Sequence, residues 1–446
     1  MSNVGYKYPE IPRQTAVHHL EEWYQKLLSE KMDVPCNPIQ RSNFGQYDMA
    51  VHYLTSVLEE AKAIDKVAIF NIDHMVQLHF SGKDAMNLLN RVLPADVENM
   101  KIGSCKYTLL LNENGTVRDD LIIMKLSDDA FILVLNAGHD ITDTKDNIEY
   151  LSDADYIFSF ARKDEEIFIK DFSDKYVKID VQGPYSYKLI TEIFGNDVLK
   201  NRTNPEKNMG FFTFNEIEIK DETYYFSRTG YTNRWGWELY IPVKHSEDLF
   251  KTIVLKALDL GGLLVGLGGR DENRISAGNV GLPLMGAEYD NFHTPTNAPL
   301  FSAAIDMNKP DFIGKKALLN DKTDKKMVVI IAEGNIVNTG VYLNGKRLGS
   351  VTSCIISPNV PLEKRLYLGS TRKNVNEETG TAAIALAWLY NNPYPIGSDE
   401  NDIRIKIELF REKDGQPFGK PVLGYISSDG INPATAHKPL KTIENL

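Results

Sequence analysis

The chain has 446 residues, 42% hydrophobic and 25% charged, with a formal net charge of −11. No uninterrupted apolar run of about 18 residues marks a membrane span, and the acidic balance argues against a general nucleic-acid binder while leaving room for a local basic site for an acidic ligand. Three dispersed cysteines, Cys36, Cys105 and Cys354, fit a reducing cytoplasmic setting, and their spacing suits neither a disulfide framework nor a metal site.

The N-terminus, MSNVGYKYPEIPRQ, lacks the basic-then-apolar pattern of a secretory signal. Residues 14–65 read as helix-rich: HHLEEWYQKLL and AVHYLTSVLEEAKA carry apolar residues at helical spacing, with the loop VPCNPIQRSNFGQYD between them. Two similar units follow, at about 66–165 and 166–265. The first runs through strand VQLHF, turn Ser81-Gly82-Lys83 and helix DAMNLLNRVL to Asp96-Val97. The second runs through strand VKIDV, turn Gln182-Gly183-Pro184 and helix YSYKLITEIF to Asp197-Val198. Each continues into hairpins, YTLLLNENGTVRDDLIIMKL in the first, then FFTFNEIEIKDETYYFSRTG and WGWELYIPV in the second, with Asn114-Gly115 as a strong turn signal. This reads as a diverged internal duplication; two unrelated α/β units are the alternative.

Two related halves packed together create a cleft at their junction, where Asp119-Asp120 of one hairpin and Glu238 of the other can face one ligand. Glu238 stands in Trp237-Glu238-Leu239-Tyr240-Ile241, and a carboxylate among aromatic rings suits a flat, nitrogen-rich ligand. A surface hairpin with an exposed glutamate is the bland alternative. Strand parity sets Asp119 with Val117, Leu121 and Ile123, and Asp120 with Thr116, Arg118 and Ile122, so one acid points inward. An inward acid needs a partner or a raised pKa; an Arg118–Asp120 surface pair is the alternative.

Residues 260–290 are punctuated by glycine, yet contain neither GxGxxG nor GxxxxGK[ST]. A helix from about Arg270 to Ala277, capped by Gly278, puts Arg270 and Arg274 on one face. Arg270 is a candidate to bind a carboxylate; a helix-surface arginine is the alternative. From 326 onward MVVIIAEG, GVYLNGKRLGSVTSCIIS, TAAIALAWL and IRIKIELF read as short strands of a small barrel or sandwich. Pro393 to Asp402 reads as a polar insertion and the last stretch as irregular. HExxH, paired cysteines and GxSxG are absent, so no metal site or serine nucleophile is expected. His74, in Asn71-Ile72-Asp73-His74-Met75, has the ordinary reading of a hydrogen-bonded structural histidine.

Taken in order, Asp73-His74-Met75, YTLLLNENGTVRDDLI, VLNAG, VQGP, RTGYTNRWGWELY, GLGGRDENRISAGNVGLPLMGAE, DFIGKKAL and VTS resemble the aminomethyltransferase family, the glycine-cleavage T-protein and its folate-dependent demethylase relatives. The resemblance runs from about Asp73 to Ser357. It implies an α+β, cloverleaf-like fold: a folate-binding domain over 1–320, with two related α/β units and an N-terminal helical segment, and a C-terminal β-barrel over 321–446. It implies tetrahydrofolate as the cofactor. Glu238 then matches the acid that hydrogen-bonds the pterin, Tyr231 the tyrosine beside the folate, Val134 a position whose backbone contacts the pterin, and Gln182 the glutamine of the LQGP-type turn. Asp120 matches the catalytic aspartate, with Asp119 beside it, and Asn136 and Arg270 complete that set.

The implied reaction moves a methyl or aminomethyl-derived carbon from a small donor to N5 of tetrahydrofolate. The alternatives are a T-protein proper acting on an aminomethyl-lipoyl carrier protein, and a non-catalytic folate-binding protein. A monomer or homodimer is expected. Two segments depart from the family pattern: NFGQYDMAV, which holds Tyr47, and TPTNAPLFSAAIDM. With His74 and Trp235, Tyr47 is a candidate wall of the donor pocket.

Overall fold

A computed structural model describes residues 11–427 apart from 139–142, 146–147, 203, 279–280, 291 and 391–403. The N-terminal helix His19–Met32 buries Leu20, Tyr24 and Leu28 on one face. The stretch expected as a second helix divides in two. Its start, Ala50–His52, is the end of the strand Tyr47–His52, which pairs with Gln40–Phe44 from the stretch expected as a loop, and the helix begins only at Val57. Ser56 explains the late start: its side chain accepts from the Glu59 N–H while the Glu59 side chain takes the Ser56 N–H, a reciprocal cap that fixes the first turn.

Two antiparallel sheets follow. The first has five strands, in the spatial order Phe168–Asp171, Val76–Ser81, Ala130–Leu135, Val117–Lys125 and Cys105–Leu111. Helix Ala85–Val92 covers it, burying Leu88, Leu89 and Val92 against Leu78, Phe80 and Leu133. The second has six: Phe214–Ile219, Glu222–Ser227, Gly236–Pro242, Tyr176–Gln182, Ala68–Asn71 and Leu263–Val265, with the last pair parallel. Helices His19–Met32, Ser186–Phe194 and Val243–Asp259 share its core.

The two sheets repeat one device. Gly82 and Gly183 close equivalent strands with φ of +117° and +116°. A Cβ there would lie 2.3 Å from the Glu166 carbonyl oxygen and 2.7 Å from those of Ile64 and Lys66, so both positions require glycine. The strands do not part at 165/166, however. Ala68–Asn71 belongs to the second sheet and Phe168–Asp171 to the first. Burial explains the exchange: AIFN is buried at all four positions, as an inner strand demands, whereas Phe168 is 55% exposed on an edge.

The C-terminal strands Lys326–Ala332, Ala382–Leu389, Lys346–Ser357, Thr339–Leu343, Ile405–Lys413 and Gln416–Ser427 close into a barrel. Gln416–Ser427 carries two prolines and two glycines, which obscure it in the sequence. Its pairing with Lys326–Ala332 closes the ring. Pro393–Asp402 and residues 428–446 lie outside the described residues. Among the described residues no helix is long and apolar enough to cross a membrane.

Candidate active site between the two sheets

Glu238 sits in Gly236–Pro242, a strand buried at every position and paired on both sides, opposite Asp180 and Ser227. It is 7% exposed. Its Oε2 accepts the Thr229 hydroxyl at 2.7 Å and pairs with the Lys178 ammonium at 3.1 Å. Lys178, Asp180 and Gln182 share one strand face, so a lysine and an acid converge beside Glu238. Like charges directly across a ladder are unfavourable. Burial and the Glu238 carboxylate together push the Asp180 carboxyl up to about 8, and Lys178 neutralises the remaining charge.

The first sheet supplies Asp119 and Asp120 from Val117–Lys125. Both point to partners, one behind the other. Asp119 is 1% exposed; its Oδ2 accepts the Asn136 N–H at 3.1 Å and its Oδ1 accepts Asn136 Nδ2 at 2.8 Å. Asn136 Nδ2 also donates to Asp120 Oδ1 at 2.6 Å, and the Tyr107 hydroxyl donates to Asp120 Oδ2 at 3.0 Å. Burial raises both carboxyl pKa values. Asp153 and Asp120 push Asp119 further, whereas Tyr107, Asn136 and Arg270 hold Asp120 back. Arg118 is not the partner of Asp120: it donates to Asp153 at 2.6 Å.

Helix Leu267–Ile275 supplies Arg270. It starts three residues before the expected Arg270 and ends at Ile275, and its two arginines occupy different surroundings. Arg274 is buried, donating to Asp271 at 2.5 Å, Glu288 at 3.0 Å and the Ser353 hydroxyl at 2.7 Å, which ties the helix to the barrel. Arg270 lies 5.1 Å over the Tyr231 ring, and its Nε is buried with no hydrogen-bond partner among the described residues. The Tyr231 hydroxyl donates to the Pro283 carbonyl.

These groups open on one cavity of about 310 Å³. Asp120 and Val134 come from the first sheet, with Asn136 just past the end of one of its strands; Lys178 and Glu238 come from the second; Thr229, Tyr231, Arg270, Leu282, Leu284, Leu300 and Ala303 come from the loops and helices beyond. Val134 sits in an inner strand between Gln77 and Ile122. It also lines the cavity.

Five expected residues do not line this cavity. Asp119 stands behind Asn136. Gln182 is fully buried; its Nε2 donates to Asp180 at 2.6 Å and to the Thr229 carbonyl at 3.1 Å, and its Oε1 accepts from Thr232 at 2.8 Å. It props the 229–236 loop, where Gly230 and Gly236 leave room for its amide. His74 packs edge-on against Phe44, and burial, then Arg270 and Lys178, keep it neutral by lowering its pKa far below the usual value. Trp235 is in the helix-covered core of the second sheet, because its neighbour Arg234 takes the cavity side. Tyr47 lines a separate cavity of about 160 Å³ with Arg13 and Asp73.

Sequence reasoning passed over Lys178, Asp180, Thr229, Tyr107 and Arg234. The first two were detectable: VKIDVQ alternates apolar and polar residues in a strand with both neighbours present, so its polar face needs an internal partner. Tyr107 and Thr229 leave no such pattern. Among the described residues no cluster of histidine, cysteine and acidic side chains could hold a metal ion.

Residues 40–309 match the family model described as the GCVT N-terminal domain. An aminomethyltransferase of Lysinibacillus sphaericus (strain C3-41) is 32% identical over 332 residues, 72% of this chain and 83% of that protein. One from Thermosipho melanesiensis is 33% identical over 328 residues, 71% of this chain and 82% of that protein. The crystal structure of glycine cleavage system aminomethyltransferase T from Bartonella henselae shares the fold, with a TM-score of 0.70 at 22% identity over 96% of this chain and 99% of that one. A family model spanning more than half of the sequence, and relatives above 30% identity across most of it, make this chain a member of the aminomethyltransferase family.

Proposed function

We propose that the protein is a tetrahydrofolate-dependent one-carbon transferase that moves an aminomethyl-derived or methyl carbon onto N5 of tetrahydrofolate. The observation that carries this reading is the convergence of Glu238 and Asp120, from different sheets, with Arg270 on one cavity. The donor set suits a pterin. Glu238 uses Oε2 for Thr229 and Lys178, and its Oε1, which has no hydrogen bond among the described residues, is left to accept ring N–H groups. Arg270 brings a buried Nε–H that lacks an acceptor. Phe211, Phe212 and Tyr231 add aromatic wall. The volume lies at the lower end of small-molecule sites, which start near 300 Å³.

Tetrahydrofolate, when bound, supplies the amine nitrogen that accepts the carbon. In this reading Glu238 orients the ring, while Asp119 and Asn136 aim Asp120. The Asp120 carboxylate stabilises positive charge that develops on amines beside it. Arg270 opposes the effect of burial and so favours the ionised form of Asp120. Leu282 and Leu284 line the same cavity with apolar surface. Gln182 holds the loop that carries Thr229 and Tyr231.

The relatives named aminomethyltransferases favour an aminomethyl donor, as on a lipoyl carrier. A small methylated donor is the second reading, favoured by Leu300 and Ala303, which come from the divergent TPTNAPLFSAAIDM segment and line the cavity. Incubation with tetrahydrofolate and aminomethyl-lipoyl carrier protein, methylated glycines, methoxyaromatics or methylthio acids decides between them by whether methylene- or methyl-tetrahydrofolate forms. Saturable folate binding with no turnover of any donor overturns the transferase in favour of a folate-binding protein. No saturable binding overturns the folate reading itself.

A further inference from the structure

Two fully buried guanidinium groups elsewhere, those of Arg365 and Arg274, have several acceptors each. Arg365 donates to the carbonyls of Val360, Val375, Glu377 and Glu378, and Arg274 to Asp271, Glu288 and Ser353. Arg234 differs from both. Its side chain is 16% exposed and lines the main cavity. Among the described residues its one ion-pair partner is Asp65, at 3.9 Å and itself 63% exposed. Glu272 acts on it only through space: the Glu272 Oε1 accepts from Ser357 and Asn359, and its buried Oε2 has no hydrogen-bond partner among the described residues, Arg234 included. Burial alone therefore lowers the Arg234 pKa, against a small opposing pull from those acids. Arg270, with its unmatched Nε–H, opens on the same cavity.

A desolvated cation with unused donors is costly unless something bound supplies the acceptor. The loop that carries Arg234 is also set in advance. Gln182 holds it at the Thr229 carbonyl and at Thr232, Thr232 takes the Arg234 N–H at 3.3 Å, and Asn233 adopts a left-handed φ of +53°. A guanidinium held in place by such a turn meets a planar anion in fork-to-fork geometry at little entropic cost.

We propose that Arg234 recognises a carboxylate on a molecule bound in the main cavity, next to the pterin-binding wall formed by Glu238. The proposal rests on the one-carbon-transferase reading and specifies the chemical class of what that site accepts. Two sources share this chemistry: the glutamyl end of the folate, and a small acidic one-carbon donor. A neutral aminomethyl-lipoyl arm brings no carboxylate to the cavity.

Matched probe pairs separate the sources, with the full chain as wild type, Arg234→Gln and Arg234→Lys. One pair is tetrahydrofolate and tetrahydropteroate, which lacks the glutamate. The others are N,N-dimethylglycine and 4-methoxybenzoate, each against its primary amide. Dissociation constants come from calorimetry. The wild type is expected to prefer the acid of at least one pair by roughly ten- to a hundredfold, the range of one charge-assisted bond. Arg234→Gln should erase that preference, Arg234→Lys should keep part of it, and the neutral member should bind all three proteins alike. Preference within the folate pair assigns the glutamyl end; preference within a donor pair assigns the donor. An acid preference untouched in Arg234→Gln, or absent from every pair in the wild type, overturns the proposal. So does equal loss of acid and neutral probes in both variants, which marks Arg234 as structural. Failure of the wild type to bind either tetrahydrofolate or tetrahydropteroate sinks the folate reading instead, and the donor pairs then still test Arg234.

Discussion

Lys178 stands between two acids, and its removal and theirs are not equivalent. In Glu238→Gln burial still raises the Asp180 pKa, but the charge that raises it further disappears, so Asp180 ionises more readily and can pair with Lys178. In Lys178→Met two facing carboxyl groups lose the ammonium that stands beside them. Lys178→Met is therefore expected to cost the larger part of the roughly 3–5 kcal/mol typical of a broken buried pair, and Glu238→Gln clearly less, by urea denaturation at pH 7. Asp180 also sets a pH dependence. Its carboxyl is held near 8 in the fold against an ordinary 3.8, so the folded state binds its proton more tightly. The stability this group contributes is complete below about pH 4 and is lost as pH rises through 8. The urea midpoint of the wild type should fall between pH 6 and 9, and Asp180→Asn should flatten that fall. At the catalytic end, Asp120→Asn keeps the hydrogen-bonding shape but removes the charge. It should lower turnover by tenfold or more while tetrahydrofolate affinity changes little; equal loss of both would argue against its electrostatic role. Glu238→Ala should do the reverse and weaken folate binding by about 1.5–3 kcal/mol.

Elements differ in how openly the sequence declares them. VQLHF, VKIDV and the Asn114-Gly115 hairpin were legible because period-2 alternation and a left-handed Gly115, at φ +79°, are local properties. AVHYLTSVLEEAKA was not, because its apolar spacing satisfies a helix as well as a strand followed by a helix; only the Ser56–Glu59 cap, itself visible as S-x-x-E, decides the matter. In the site, Glu238, Asp120, Asn136, Val134, Tyr231 and Arg270 were placed on the cavity through a family pattern. Trp235 and Tyr47 lie off that cavity, and no local rule says which side of a loop or hairpin faces which core. The turn glycines provide a test at this scale. Gly183→Ala forces a Cβ to within 2.7 Å of two carbonyl oxygens at φ +116°, whereas Gly195, at φ +88°, has nothing within 4 Å. Thermal unfolding should register a clearly larger loss for Gly183→Ala than for Gly195→Ala, for which backbone strain alone costs about 1–3 kcal/mol.

Across the whole molecule, the barrel is clamped to the cavity wall by charge. Arg274, on the helix that carries Arg270, reaches Glu288 and Ser353, and Glu288 in turn accepts from the Thr352 hydroxyl at 2.5 Å. Glu288 Oε2 also takes the Leu284 N–H at 3.0 Å, beside the Leu282 and Leu284 side chains that line the site. Arg274→Met should thus destabilise the protein by about 3–5 kcal/mol and weaken tetrahydrofolate binding as well, because the cavity wall loses its anchor. Arg347→Met, which breaks a solvent-reached pair with Glu412 on the barrel, should cost under about 1 kcal/mol and leave folate affinity alone.

The exchange of Ala68–Asn71 and Phe168–Asp171 between the two sheets also governs the order of events during synthesis. Ala68–Asn71 leaves the ribosome well before Tyr176–Gln182 and Leu263–Val265, the strands on either side of it. The first sheet, for its part, waits for an edge strand that is made after the rest of that unit. Neither half therefore finishes alone, and a nascent chain stopped near residue 165 presents an unpaired apolar strand to its surroundings. Such a fragment should aggregate when expressed by itself, and the two halves should recover solubility only when produced together.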